Sequence, residues 1–356
     1  MDRGDAMTSL DIARASLRDV PTYAPDLPSC PIDLRDNTSL FGAPPAALAA
    51  VRAMESGALT EYPDVAGGRL TRALAGKFGI RPEEIVTGCG SDDVLDAAFR
   101  AVAEPGAVLA HPSPSFSMVP VFARLNSLVP VAVPLTRTGA ADADAMLATG
   151  ARIIYLCSPN NPTGTVTPAD VVRRIVRESG AIVILDGAYA EFSPELDDLR
   201  VEAPALERLL VVRTFSKAWV LAGLRVGYGV GSAALVREVQ KARGPYKLNA
   251  AAERAAVTAL AQDDEWMRRH AAEAVDCRER AVVALRDLGL FPLDSRGNFV
   301  CVPVPDALAV ARQLAFRGVA VRAFSALPVF GDVLRVGMAP WPVVERFVRA
   351  LREVLA

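Results

Sequence analysis

An α/β fold, with a mainly parallel central sheet in a large domain and a smaller α+β domain attached, is what this chain predicts. Two observations carry that reading. From about residue 45 to 240, short apolar runs rich in branched residues alternate with amphipathic stretches, as expected of strands buried on both faces and covered by helices. Beyond residue 250 the pattern changes to two long, Ala-rich, charged segments followed by brief strand-like runs and a closing amphipathic helix. A chain of 356 residues, 51% hydrophobic and 22% charged, is long enough for two such domains.

Taken in order, residues 1–44 read as an N-terminal arm joining the small domain, 45–245 as the large domain and 246–356 as the small C-terminal domain. Strands are expected at 107–110, 153–157, 181–185, 209–212 and 226–230, each short and branched. Between them, 167–179 reads as a helix with Thr167 as N-cap and Pro168 as its first residue. Residues 250–288 form two long helices, strands follow near 299–304, 319–322 and 333–336, and a helix covers 343–355. No internal repeat or low-complexity segment is present.

Charge and cysteine usage narrow the function classes. With 39 basic against 41 acidic residues, no global field recruits nucleic acid or an anionic membrane, so an anionic ligand must be met by local charges. Cys30, Cys89, Cys157, Cys277 and Cys301 are scattered, with no C-x-x-C pair, so neither a disulfide framework nor a zinc site is indicated. His111 and His270 are the two histidines, which disfavours a multi-histidine metal site, and no G-x-S-x-G elbow supports a serine triad. Asp2, Arg3, Asp5, Asp11 and Arg14 leave no apolar signal region at the start of the chain. No run approaches the roughly 18 apolar residues of a membrane span. A reducing cytoplasm is the expected location.

Five local features sit where an α/β sheet gathers ligands, beyond the carboxyl ends of strands. Thr87-Gly88-Cys89-Gly90-Ser91-Asp92-Asp93 leads into a helix expected to start near Asp92, whose free amides and dipole favour a phosphate. Ser158-Pro159-Asn160-Asn161-Pro162-Thr163-Gly164 is a rigid loop that holds Asn161 in one orientation. In Ile184-Leu185-Asp186-Gly187-Ala188-Tyr189, Asp186 ends an apolar strand, where a carboxylate is costly without a cation. Lys217 stands eight residues before Arg225 on a Gly-rich apolar stretch, with hydroxyls at Thr214 and Ser216. A desolvated ammonium there costs several kcal/mol unless it is paired or neutralised. Arg335 and Arg322 could bind a carboxylate or phosphate, a solvated arginine being the alternative at 322.

One cofactor reconciles the five. Pyridoxal 5'-phosphate has an aldehyde for a Schiff base with Lys217, a ring nitrogen for Asp186, a phenolate for Asn161 and Tyr189, and a phosphate for Ser91, Ser216 and Arg225. Its protonated ring draws electrons from a substrate Cα, and the freed lysine is then the natural base.

Together these motifs resemble the fold-type I pyridoxal-phosphate aminotransferases, and within them the histidinol-phosphate aminotransferase family, from about residue 23 to 335. Ser158-Pro159-Asn160-Asn161-Pro162-Thr163-Gly164, Arg213-Thr214-Phe215-Ser216-Lys217-Ala218-Trp219 and Ala222-Gly223-Leu224-Arg225-Val226-Gly227-Tyr228 carry the resemblance. It implies the cofactor on Lys217, Asp186 at the ring nitrogen, Asn161 and Tyr189 at the phenolate, and Phe116 stacked on the ring. It implies a phosphate site of Gly90, Ser91, Asp92, Thr214, Ser216 and Arg225, with Tyr62 reaching in from a second subunit of a homodimer. Tyr23, Asn37, Arg322 and Arg335 fall on the substrate side. The sequence departs from the family at Asn37-Thr38-Ser39-Leu40, at Gly187 where glutamate is usual, at Val220 where glycine is common and at Phe116 where tyrosine usually stacks.

The leading expectation is transamination of L-histidinol phosphate with 2-oxoglutarate, the phosphate meeting Arg322 and Arg335. The altered Asn37 loop keeps open another amino donor, such as an aromatic amino acid presenting its carboxylate to Arg335. Decarboxylation on the same scaffold, as in threonine-phosphate decarboxylases, is a further alternative. A non-catalytic pyridoxal-phosphate-binding regulator is disfavoured by intact Lys217 and Asp186 and by the lack of a basic extension.

Overall fold

A computed structural model describes residues 14–18, 20, 30–196 and 198–356. In chain order, strand β1 (Ile32–Asp33) precedes helices α1 (Pro45–Arg52), α2 (Gly57–Thr60) and α3 (Gly68–Phe78). Strand β2 (Ile85–Cys89) runs directly into α4 (Gly90–Val102), followed by β3 (Val108–Ser113), α5 (Met118–Leu125), β4 (Val129–Pro134) and α6 (Ala143–Ala148). Next come β5 (Ile153–Cys157), α7 (Ala169–Glu178), β6 (Ile182–Asp186), β7 (Leu209–Thr214), β8 (Val226–Gly231) and α8 (Ala233–Arg243). The remainder comprises α9 (Ala250–Gln262), α10 (Asp264–Asp287), β9 (Phe299–Pro303), α11 (Ala307–Phe316), β10 (Val319–Ala320), β11 (Arg322–Leu327), β12 (Gly331–Gly337) and α12 (Trp341–Leu355).

Among the described residues, seven strands form one sheet in the order β2-β8-β7-β6-β5-β3-β4. The pairs from β4 through β3, β5 and β6 to β7 are parallel, and β8 is antiparallel to both β7 and β2. Strands β5 to β8 are buried at every residue. Alternate side chains explain why: Ile154, Leu156, Val183, Leu185 and Val211 join one apolar cluster, while Ile153, Tyr155, Ile184, Leu210 and Val212 join the other. The second cluster is closed by α4, α5 and α8, through Val94, Leu95, Val119, Leu235 and Val239. The first takes Leu70 and Leu74 of α3, Val172 and Ile175 of α7 and the small faces of α9 and α10.

Several expected boundaries shift, each for a local reason. Thr167 does not cap α7; Pro168 is the N-cap residue, and Thr167 Oγ1 instead accepts the Ala141 amide at 3.0 Å, a tertiary use of a buried hydroxyl. Helix α4 begins at Gly90 rather than near Asp92, because Gly90 at φ 84° turns the chain straight out of β2. The run 319–322 is broken: Val319 and Ala320 pair with β1, whereas Arg322 starts β11 against β12. Strand β4 had no expectation attached, since Pro130 and Pro134 demote it by pattern; it is an edge strand, where missing amides cost little.

A three-stranded antiparallel sheet, β11-β12-β9, follows the large sheet in sequence, with α11 and α12 packed nearby through Leu314, Val344, Phe347 and Leu351. The parallel β1–β10 pair carries the early chain to it: Leu34 N donates to Ala320 O at 2.9 Å, and Gly337 N donates to Leu34 O at 2.9 Å. Residues 34–37 are thereby laid beside β12. No helix among the described residues is long and apolar enough to cross a membrane.

Candidate active site

One end of the site is built where β2 meets α4 beside β8. Gly227 has to be glycine, because a Cβ there would lie 2.2 Å from Ser91 N, and a Cβ on Gly90 would lie 2.6 Å from Arg225 Nη2. The amino end of α4, with its free amides, is thus pressed against the β8 backbone and the Arg225 guanidinium. Arg225 itself is held at φ 54° and bridges Ser216 Oγ at 3.3 Å and Asp92 Oδ2 at 3.0 Å. Thr214 Oγ1 accepts the Ser216 amide at 3.1 Å and lies 3.0 Å from Ser216 Oγ. Gly90, Ser91, Asp92, Thr214, Ser216 and Arg225 therefore lie together at this corner. Burial raises the Asp92 carboxyl despite Arg225 and Lys217.

At the centre, Asp186 closes β6. Its Oδ2 accepts from Tyr155 Oη at 2.9 Å and its Oδ1 from the Ala188 amide at 3.1 Å. Burial pushes its pKa up to about 6 because these two neutral donors only partly replace water. Tyr189 is buried, its ring set edge-on to Phe299 at 5.1 Å, and its hydroxyl accepts from Asn37 Nδ2 at 3.1 Å. Burial lifts that hydroxyl to about 12. Phe116 is partly buried against the cluster holding Val119 and Phe99. Its loop is tied to the Asn161 loop by Asn160, which donates to Pro114 O at 3.1 Å and accepts from Ser115 Oγ at 2.8 Å.

Lys217 connects the two ends. Its Nζ donates to the main-chain oxygen of Asp36 at 2.9 Å and stands 5.7 Å from the Tyr189 ring centroid. Desolvation lowers its pKa to about 8; Arg335 and Arg225 push the same way, Asp36 and Asp92 oppose. One lysine thus feels charges from both ends of the site.

The far end is formed by β11, β12 and residues 35–37. Arg322 and Arg335 are direct cross-strand partners. Arg335 is 7% exposed and donates to Asn161 Oδ1 and to Arg35 O, leaving the Asn161 amide nitrogen available to donate to a phenolate. Arg335 Nε is buried with no hydrogen-bond partner among the described residues. Arg322 Nη2 pairs with Asp36 Oδ1 at 3.1 Å. Asn37, at φ 52°, is fixed from behind by Asn298 Nδ2 donating to its carbonyl at 3.0 Å.

Tyr23 lies outside the described residues. Tyr62 is 82% exposed and stacks on Tyr246 at 4.7 Å. Conversely, Tyr155, Asp36, Asn160 and Gly227 belong to the constellation without having been singled out. Gly227 carried a signal, since a glycine inside a strand pattern marks close backbone approach. Tyr155 carried none, being one aromatic in an apolar run.

The chain matches the family model for aminotransferase class I and II over residues 31–351. The chain belongs to that family. This aminotransferase is 37% identical over 320 residues to an aromatic amino acid aminotransferase of Corynebacterium glutamicum (strain R), covering 87% of this chain and 92% of the relative. It is 34% identical over 355 residues to a histidinol-phosphate aminotransferase of Desulfitobacterium hafniense (strain Y51), covering 96% and 97%. Among solved structures, histidinol-phosphate aminotransferase from Sinorhizobium meliloti, in complex with pyridoxal 5'-phosphate, superposes with a TM-score of 0.83 at 27% identity, covering 92% and 91%. The aminotransferase site fits that cofactor on two independent observations. A buried carboxylate with neutral partners can take a protonated ring nitrogen, and the glycines at 90 and 227 bare a helix terminus that an added Cβ would block.

Proposed function

We propose that this aminotransferase holds pyridoxal 5'-phosphate at Lys217 and moves the amino group of L-histidinol phosphate to 2-oxoglutarate. When bound, the cofactor supplies an aldehyde and a ring that withdraws electrons from the donor Cα. The protein does the rest. Arg225, Thr214, Ser216, Ser91 and the α4 amides anchor the phosphate, and Asp186 keeps a proton on the ring nitrogen. Asn161 and Tyr189 orient the phenolate oxygen. Desolvation lowers the pKa of Lys217 Nζ to about 8 in the cofactor-free protein, in the direction that suits an amine for taking and returning the Cα proton. A homodimer is part of the reading, supported by exposed Leu59, Tyr62, Val65 and Tyr246 on one stretch of surface chain and its neighbour.

The observation that carries the donor assignment is the cross-strand placement of Arg322 against Arg335, two guanidiniums side by side for one polyanionic group. A second reading, an aromatic amino acid donor, is favoured by the Arg322–Asp36 ion pair, which leaves Arg335 for a single carboxylate. A half-reaction assay with histidinol phosphate and with phenylalanine separates them. Arg322→Ala is expected to lower kcat/KM at least about tenfold more for the phosphorylated donor, in line with the strength of a charge-assisted hydrogen bond. Equal losses would rule out a phosphate role for Arg322.

A further inference from the structure

The donor end carries two guanidiniums and one carboxylate, and their partners are unequal. Among the described residues, Arg335 is bonded only to the neutral oxygens of Asn161 and Arg35, and its buried Nε is unpartnered. Arg322 faces it across the strand pair and is already ion-paired to Asp36. The nearby acid Asp33 is engaged by Arg35, with Arg35 Nε donating to Asp33 Oδ1 at 2.9 Å. Asp36 is fixed in place by its main chain, whose oxygen accepts from Lys217 Nζ, so its side chain is carried to the cleft as a consequence of the fold. That side chain is 58% exposed and Arg322's is 27% exposed, leaving the pair open to exchange.

We infer that Asp36 is a specificity-determining residue: its carboxylate holds Arg322 in an ion pair that a phosphorylated donor must displace and a carboxylate donor need not. The inference rests on the reading that the donor's anionic group is met at Arg322 and Arg335. A phosphate monoester brings about 1.5 to 2 negative charges at neutral pH, more than Arg335 alone can match. To recruit Arg322 it must part that guanidinium from Asp36 and then lie beside the freed carboxylate, with like charges close together. A carboxylate group brings one charge, matched by Arg335 with the Arg322–Asp36 pair left intact. The ion pair is therefore a repulsive element that lowers, without reversing, the preference for the phosphorylated donor proposed above.

The test uses two ligands with the same apolar body and different heads, 2-phenylethylphosphonate and 3-phenylpropanoate, titrated into the holoenzyme and followed by its visible absorbance. In Asp36→Asn, phosphonate affinity is expected to rise at least about tenfold relative to carboxylate affinity. The shift should shrink several-fold when Arg322→Ala is added, because the displaced ion pair no longer exists and only direct repulsion by Asp36 remains. Asp36→Ala, which keeps the main-chain oxygen toward Lys217, provides a second variant. A ratio unchanged within about twofold, the same shift in the Arg322→Ala background, or binding of neither ligand overturns the inference. Turnover of histidinol phosphate by the wild type is scored separately. Its absence with a moving ratio would sink the donor assignment alone, and its presence with a fixed ratio would sink the role of Asp36 alone.

Discussion

A carboxylate shielded from water and met only by neutral donors is an unstable arrangement on its own, and Asp186 shows how large the imbalance is. Its folded pKa lies near 6 against an ordinary 3.8, so between roughly pH 4 and pH 6 the native state binds more protons than the unfolded chain. Cofactor-free protein must then lose stability as pH rises through that window, by about 3 kcal/mol for a shift of about two units. Asp186→Asn keeps an acceptor for Ala188 and a partner for Tyr155 but has no charge to desolvate. It is expected to be more stable than the wild type at pH 8 when cofactor is absent, with the gap closing at pH 4.5, as thermal unfolding at the two values would read. A gap of the opposite sign would mean that Asp186 is stabilised by something other than Tyr155 and Ala188. The residue was legible because an acid closing a branched apolar run is costly to bury unless a cation comes to meet it. Tyr155 was not, since its hydroxyl finds Asp186 only after β5 and β6 pair with Cys157 opposite Asp186, information that no local pattern holds. Asp36 was hidden similarly: its partner lies 286 residues away.

Elements repeat the lesson with backbone in place of charge. The turn that presents Lys217 closes with Val220 N donating to Lys217 O at 3.1 Å, and Val220 sits at φ 54°, where a β-branched residue is crowded. Glycine at this point relieves a strain of order 1–3 kcal/mol and gives back roughly 0.5–1 kcal/mol in chain entropy. Val220→Gly is therefore expected to raise unfolding free energy by about 1 kcal/mol, seen as a higher denaturant midpoint at constant slope. A lower midpoint would show that the half-buried Val220 side chain outweighs its backbone. Buried strands such as β5, which matches its expected span at both ends, are readable because two covered faces demand continuous apolar character. Strand β4 and the split between β10 and β11 escape the same reading, since edge position and a change of partner sheet are decided by neighbours far along the chain.

At the scale of the molecule, the exposed Tyr62–Tyr246 stack bears on the proposal that two subunits share their sites. If Tyr62 serves the partner's cofactor, Lys217→Ala and Tyr62→Ala chains should complement one another. Mixed dimers then hold one site with both residues intact, so random reassociation restores about a quarter of wild-type sites at limiting cofactor. No recovery above the two separate variants would place Tyr62 outside the partner's site. Fold class was legible at this scale from alternation alone, and an arm joining the small domain was expected, but the register that lays residues 34–37 beside β12 was not legible, because the β1–β10 pair that directs it spans only two residues on each strand. The same crossing orders events on the ribosome. The residues from Gly90 to Gly227 that gather around the start of α4 have all been synthesised once β8 ends at Gly231. Arg335 emerges roughly a hundred residues later, and N-terminal portions of large proteins fold first. Arg35 and Asn37 wait for Arg335 and Asn298, so the corner around the start of α4 can form well before residues 35–37 are set beside β12.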